Sequence, residues 1–468
     1  MQAGIPRGFR DILPSEALLR EQLVERVQQC FTLWGYQPVE TPTLEKLSTL
    51  QAGGYRGSSA FKLFDADGDL LVLRPDVTLP IARMIATRLT PPSAGQALRL
   101  RYKQTVFREE RSFQTQARAI TQLGVEYIGS AALAADVEVL LLAAEALAST
   151  GLENFTVALC MVSVLRSLLA AARTTGSVNV AWEQSVLRAW HKNDLVTVDD
   201  LARARLLNPA YGQAIAALAR LQGGREAIQQ CRALIAALPD AAAESVTAPA
   251  PDAPAGPAPD AGAAPAPVAA PTAEAITAPV VASAPAAPVS PPSAPPDASP
   301  SPVSPSASPA TPADAPPAVA TLTSAGEIQR CFTELQRLEQ VYDLVGQLQP
   351  STEWLVDFSV MSSFDYYTGL VFVAYAPGSG YPLVSGGRYD HTLSQFGAPS
   401  AAAGFALNLE RVTSALVSEL AATDLAAMPP SPPISSLRVD PTALAESFRQ
   451  VQALHRQGHV ASLIAEEN

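Results

Sequence analysis

The sequence predicts an α+β fold with a mainly antiparallel sheet flanked by helices. Three observations carry that prediction. Strand-patterned runs come in neighbouring pairs, at 61–64 with 70–73 and at 98–108 with 117–128, instead of alternating singly with helices. No G-x-G-x-x-G or G-x-x-x-x-G-K-[ST] opens a helix after a strand, which removes the Rossmann and P-loop readings. Residues 164–238 are rich in Ala, Leu and Arg and interrupt the strands as a block, an expected all-α insertion.

Residues 4–14 form an extended lead-in. A helix is expected from about Ser15, because Leu19, Leu23, Val27 and Phe31 share one face, and Gly35 stands where a left-handed residue ends it. Residues 39–44 are expected as a strand that Pro42 confines to an edge or interface. The runs 61–64 and 70–73 flank Asp65-Ala66-Asp67-Gly68-Asp69, a hairpin turn. A calcium-loop reading of that turn fails, since no Glu lies at the required offset.

A helix at 80–89 precedes the long hairpin, 98–108 with 117–128, whose side chains alternate. Residues 136–149 are helical and 155–161 extended. The insertion breaks near Gly176 and Pro209. A helix at 325–348, strands near 355–359 and 370–375, and a final helix starting near Gly404 complete the core.

Five regions follow: a first core part at 1–163, the helical insertion at 164–238, a linker at 239–322, a second core part at 323–420 and a short extension at 421–468. The linker is almost only Ala, Pro, Ser, Thr, Val and Asp and holds more than half of the chain's 41 prolines. With no aromatic side chain and no apolar period, it has nothing to offset the entropy of ordering its backbone, so a disordered Pro/Ala-rich loop is expected. Seven of the acidic residues lie there without a Lys or Arg. The formal charge of −12 therefore overstates the acidity of the folded part, which is only mildly acidic. Such a balance argues against a broad nucleic-acid footprint. Four scattered cysteines without metal-ligand spacing suit a reducing compartment, and no targeting or membrane-spanning run is seen, so a cytoplasmic protein is expected.

The candidate chemistry is in four motifs. These are Leu73-Arg74-Pro75-Asp76-Val77-Thr78, then Phe107-Arg108-Glu109-Glu110, then Asp365-Tyr366-Tyr367-Thr368-Gly369, and Ser385-Gly386-Gly387-Arg388-Tyr389-Asp390. Gln122 and Glu126 lie four apart on the expected hairpin strand, hence on one face. Around these motifs, 4–161 and 325–413 resemble the catalytic core of the histidyl-tRNA synthetase family. Within it they are most similar to the non-ligating paralogue, the regulatory subunit of ATP phosphoribosyltransferase. The resemblance implies the class-II aminoacyl-tRNA synthetase-like fold and a histidine pocket. Its contacts would be Asp76 and Thr78 for the ammonium, Gln122 for the ligand backbone, Glu126 for the imidazole, and Arg108, Tyr366 and Tyr367 around it. Each buried hydrogen bond to a charged group is worth about 1.5–3 kcal/mol, so a handful suffices. Where Asp76 stands, the synthetases usually have Glu and the regulatory paralogue Asp.

Departures from the synthetase pattern fall on the nucleotide side. Activation needs positive charge on the α-phosphate. The synthetases' catalytic arginine is replaced by Ser362, followed by Ser363, and their Gly-Arg turn pair by Thr115-Gln116. The adenine-stacking phenylalanine is Ile120, and a glycine of the closing helix is Asn408. Arg108, Arg118 and Arg411 match and are candidate anion-binding residues. After Arg411, 57 residues remain, too few for a whole anticodon-reading domain and room for one β-α-β fragment at most, so no tRNA grip is expected.

The resemblance thus implies a non-catalytic histidine sensor with no cofactor and no metal. It would partner a short-form ATP phosphoribosyltransferase catalytic subunit, as a homodimer within a hetero-octamer, dimerising through the Pro42 segment and first helix. The rivals are an active ligase of histidine or another amino acid, and an interaction module with a vestigial pocket. Because flexible loop closure depends weakly on length, deleting residues 242–320 should leave the melting temperature nearly unchanged; a marked fall in a thermal unfolding scan would contradict this.

Overall fold

The first helix, α1 (Pro14–Leu33), forms where the apolar spacing places it. Leu23, Val27 and Phe31 are fully buried, Leu19 partly so, and Gly35 follows the helix at φ 80°. The computed structural model describes residues 4–55, 60–89, 96–109, 117–175, 178–204, 207–242, 323–361, 366–420 and 444–457. The expected strand at 39–44 is instead two short strands on either side, β1 (Gln37–Pro38) and β2 (Leu44–Lys46). Arg74 supplies the reason: its buried guanidinium donates to the carbonyls of Thr41 (2.6 Å) and Pro42 (3.2 Å), so they serve a side chain and not a ladder.

After α2 (Leu47–Ala52), β3 (Lys62–Phe64) and β4 (Leu70–Leu73) form the expected hairpin, with Phe64 opposite Leu70, and join β2 in a three-stranded sheet. Its turn closes through the Asp67 N–H on the Asp65 carboxylate and Gly68 at φ 85°. The next helix, α3 (Thr78–Arg88), starts two residues early, and Asp76 Oδ1, just ahead of it, accepts from the Leu79 N–H of its first turn at 3.2 Å.

The long hairpin is β5 (Leu98–Phe107) with β6 (Ala119–Ile128), paired along its whole length. Then come α4 (Leu133–Ser149), β7 (Thr156–Met161), α5 (Val162–Thr175), α6 (Val180–His191), α7 (Leu195–Ala202) and α8 (Pro209–Leu218). They are followed by β8 (Gln222–Gly223), α9 (Arg225–Ala236), α10 (Ser324–Leu348), β9 (Glu353–Asp357) and β10 (Leu370–Tyr375). The chain continues through β11 (Val384–Arg388), β12 (Ala402–Asn408), α11 (Leu409–Leu420) and α12 (Leu444–Arg456). The main sheet runs β1-β5-β6-β12-β11-β10-β7-β9-β8. It is antiparallel from β5 across to β7, with parallel pairs only at β1–β5 and β7–β9.

Several expectations are corrected. The insertion is not purely helical: β8 joins the main sheet beside β9, and the Trp190 indole donates to the Phe358 carbonyl at 3.0 Å, tying the block to the core. The linker does not begin at 239, since Pro239–Ala242 is a 3-10 turn whose Asp240 accepts from the Tyr211 hydroxyl at 2.9 Å. The remainder of the linker, 243–322, lies outside the described residues. Gly404 starts no helix; it is inside β12, and β11 was not anticipated as a strand. Both carry glycines that a propensity reading assigns to loops. The closing helix begins at Leu409, where Asn408 accepts from the Arg411 N–H at 3.0 Å, which gives Asn408 a capping role of its own. Of the expected β-α-β extension only α12 is described; its Phe448 is fully buried against Trp34.

A buried ion cluster joins the two core parts. Asp136 on α4 accepts from Arg388 of β11 (2.8 Å) and from Arg337 of α10 (2.8 Å), while Arg388 also reaches the Ser130 carbonyl and Asp390. Removing one partner of such a cluster leaves uncompensated buried charge, at roughly 3–5 kcal/mol. Asp136→Ala should therefore lower the unfolding free energy by about that much in urea titration; a loss below about 1 kcal/mol would show the cluster to be dispensable.

Candidate functional site

Three adjacent strands of the main sheet carry glycine on the same face: Gly124 of β6, Gly404 of β12 and Gly387 of β11. Register fixes the shared face, because Glu126 lies opposite Gly404, and Gly404 opposite Gly387. The other face carries Phe405 and Phe372, with Phe31 of α1 packed edge-on to Phe405. Each glycine makes room for a large neighbour. A Cβ at Gly124 would lie 2.4 Å from the Tyr102 ring, at Gly387 2.8 Å from the Tyr367 ring, and at Gly404 2.2 Å from the Glu126 carboxylate. The floor of the site is bare backbone, so polar and aromatic groups can lie flat upon it.

Glu126, at 1 % exposure, is the centre of this face. Its Oε1 accepts from the Thr78 hydroxyl at 2.8 Å and its Oε2 from the Tyr389 hydroxyl. Burial pushes its carboxyl up to about 8; the two hydroxyls pull the other way, and the charge of Asp76 adds to the rise. Asp76 is buried as well, and burial raises it to about 6 against the opposing pull of the Leu79 N–H and of Arg108. One of its oxygens, Oδ2, is buried without a hydrogen-bond donor. Tyr366, Tyr367 and Tyr389 stack as a cluster with centroids 4.8 to 6.4 Å apart. The hydroxyls of Tyr366, Tyr389 and Tyr102 stay protonated, since burial raises all three well above their usual value.

The expected residues Asp76, Thr78, Glu126, Tyr366 and Tyr367 are therefore brought together. Gln122 shares their face two steps along β6, half-buried, opposite Gln104 and Asn408. Ile120 continues that face and is buried. Arg108 donates to the Pro75 carbonyl at 3.1 Å, beside the Asp76 loop. Arg118 lies over the Phe61 ring and against Gly8, and Arg411 donates to the Pro382 carbonyl at 2.8 Å. All three arginines sit at the same end of the sheet, each engaged with protein groups. Ser362, Ser363, Asp365, Thr115 and Gln116 lie outside the described residues.

Two residues of the site were not singled out from the sequence as contacts. Tyr389 follows Gly387 by two and so turns to the same face, a signal readable only once β11 is known to be a strand. Tyr102 was detectable in principle, as the partner of Gly124 across the predicted hairpin. Among the described residues no His/Cys/Asp/Glu group is arranged to hold a metal, and all four cysteines are buried thiols. Nor is any helix among them long and apolar enough to cross a membrane.

The sequence profile described as "Histidyl-tRNA synthetase" matches residues 8–249 and 314–412. The chain belongs to the histidyl-tRNA synthetase family. Several curated relatives that it is similar to carry the name ATP phosphoribosyltransferase regulatory subunit. That of Moorella thermoacetica is 31% identical over 87% of this chain and 80% of its own length, and that of Gloeobacter violaceus 32% identical over 88% and 78%. Solved structures agree on the fold. One from Bacillus halodurans, described as an ATP phosphoribosyltransferase regulatory subunit/histidyl-tRNA synthetase, has a TM-score of 0.63 at 24% identity, covering 99% of this chain and 93% of that one. The histidyl-tRNA synthetase of Nostoc sp. PCC 7120 has a TM-score of 0.58 at 17% identity, covering 100% and 87%. The class-II synthetase-like α+β fold is thus established for this family member.

A carboxyl group raised to about 8 makes stability pH-dependent in a defined window. Folded Glu126 holds a proton that the unfolded chain releases above about 4.5, so its contribution is complete below that value and is lost as pH rises through about 8. Asp76 follows the same rule in a lower window, ending near 6. Between about pH 6.5 and 8.5 the ligand-free protein should lose on the order of 2 kcal/mol in urea unfolding, and Glu126→Gln should flatten that loss. An unchanged slope in the variant would remove Glu126 as its source.

Proposed function

We propose that this chain is a non-catalytic regulatory subunit of ATP phosphoribosyltransferase that binds histidine and conveys feedback inhibition to a short-form catalytic partner. The observation that carries this reading is the pairing of two buried carboxylates with a tyrosine cluster on a glycine floor. An ammonium suits Asp76, whose Oδ2 awaits a donor, and an imidazole suits Glu126 with Tyr366 and Tyr367 beside it. Thr78 and Gln122 would complete the contacts. The names of the curated relatives support the same partner and a place in histidine biosynthesis. Homodimerisation through the Pro42 segment and α1, and assembly into a hetero-octamer, belong to this proposal. So do a cytoplasmic setting and independence from tRNA.

Inhibition requires histidine to bind two assembly states unequally, with a coupling of roughly 1–3 kcal/mol. The deciding experiment is co-purification with a candidate short-form catalytic subunit, assayed with and without histidine. Inhibition is expected in the wild type and is expected to vanish in Glu126→Gln while the complex still forms. Failure of the two chains to associate would overturn the proposal, and unchanged inhibition in the variant would leave the pocket vestigial. The gathering of Arg108, Arg118 and Arg411 at one sheet end favours a second reading, a residual amino-acid ligase. Histidine-dependent ATP–pyrophosphate exchange would establish it.

A further inference from the structure

Two carboxylates facing one buried, aromatic-walled site pose an electrostatic problem that the arrangement resolves unequally. Buried like charges disfavour each other, and each ionised group needs compensation in place of water. Asp76 has that compensation: the Leu79 N–H donates to it, and Arg108, held at the Pro75 carbonyl, pulls its charged form down in energy. Among the described residues Glu126 has the hydroxyls of Thr78 and Tyr389, both neutral, with the Asp76 charge opposing its own ionisation.

The groups that face Glu126 are distributed over every element around it. Asp76 and Thr78 come from the start of α3, Tyr102 and Arg108 from β5 and its end, Tyr366 and Tyr367 from the approach to β10, and Tyr389 from the end of β11. Glu45 of β2 acts on Asp76 from behind. Among the described residues this is an acidic site, and Arg108 is directed to its Asp76 side.

Building on the histidine reading above, we infer that Glu126 stores a proton in the ligand-free protein and hands it to the imidazole ring on binding. The transfer balances within the pocket. The Glu126 O–H bond breaks, the lone pair of the unprotonated ring nitrogen forms the new N–H bond, and a carboxylate–imidazolium pair replaces two neutral groups. The ligand's ammonium, charged in solution already, meets the ionised Asp76. At neutral pH the pocket thus captures the ligand with both its ammonium and its ring positively charged, without drawing a proton from water. An amino acid whose ring has no basic nitrogen leaves the proton on Glu126 and gains no ion pair there, which makes Glu126 a specificity-determining residue.

The test is titration calorimetry of L-histidine into the complex with the catalytic subunit at pH 7, in buffers of differing ionisation enthalpy. Ring-15N-labelled histidine is observed by NMR in the same complex. The expected result is a net proton exchange within about a quarter of a proton of zero, together with an imidazolium ring. Uptake of about three quarters of a proton would mean that Glu126 was already ionised and would overturn the inference, since free imidazole is mostly neutral at this pH. So would a neutral bound ring. Glu126→Gln, which has neither a proton to give nor a carboxylate to pair with an imidazolium, should bind histidine far more weakly; an imidazolium held by the variant at wild-type affinity would overturn the inference. Absence of any binding heat would instead sink the histidine reading itself, and this inference with it.

Discussion

The buried carboxylate of Asp136, held between Arg388 and Arg337, is the constraint on which the site depends. It ties α4 of the first core part to β11 and α10 of the second, across the whole helical block and linker. Because side chains alternate along a strand, anchoring Arg388 on the helix-covered face forces Gly387 and Tyr389 onto the opposite one. The first then lies beneath Tyr367 and the second reaches Glu126. A slip of one residue in β11 would bury the wrong set and dismantle both the ion cluster and the pocket wall. Register, fixed by one ion cluster, thus sets the chemistry of the other face.

That other face is built by omission. Glycine in the middle of a strand costs backbone entropy and supplies no packing. Three of them in adjacent strands are tolerated because Tyr102, Glu126 and Tyr367 fill the space their side chains would have taken. The result is a pocket whose floor is backbone and whose walls are phenols and carboxyls. Among the described residues few cations lie near, and two arginines are engaged elsewhere: Arg74 holds the 41–42 carbonyls, and Arg388 holds Asp136. The described groups thus make the site acidic, with two buried carboxyl groups close together.

Two arginines at one end of the sheet, Arg118 and Arg411, are engaged with groups of the protein itself. Arg411 donates to the Pro382 carbonyl and lies over the Tyr381 ring, while Arg118 covers Phe61 and bonds to the lead-in at Arg7. Asn408, a departure from the synthetase pattern, caps the closing helix. Each thus has a local structural contact.

Much of this protein was written in its sequence because the relevant physics is local. Apolar periodicity placed α1 and the β5–β6 hairpin, turn chemistry placed the Asp65–Asp69 hairpin, and period-two spacing put Gln122 and Glu126 on one face. The family motifs named Asp76, Thr78 and the Tyr366–Tyr367 pair. Three-dimensional packing decided the rest. Propensity reads glycine as loop, so β11 and β12 became visible only when neighbouring strands paired with them, and Tyr389 entered the site only through that pairing. Likewise the segment at 39–44 lost its ladder to Arg74, a residue distant in sequence. The charge state of Glu126 follows from burial and from what stands around it, and no spacing rule encodes the sum of those fields.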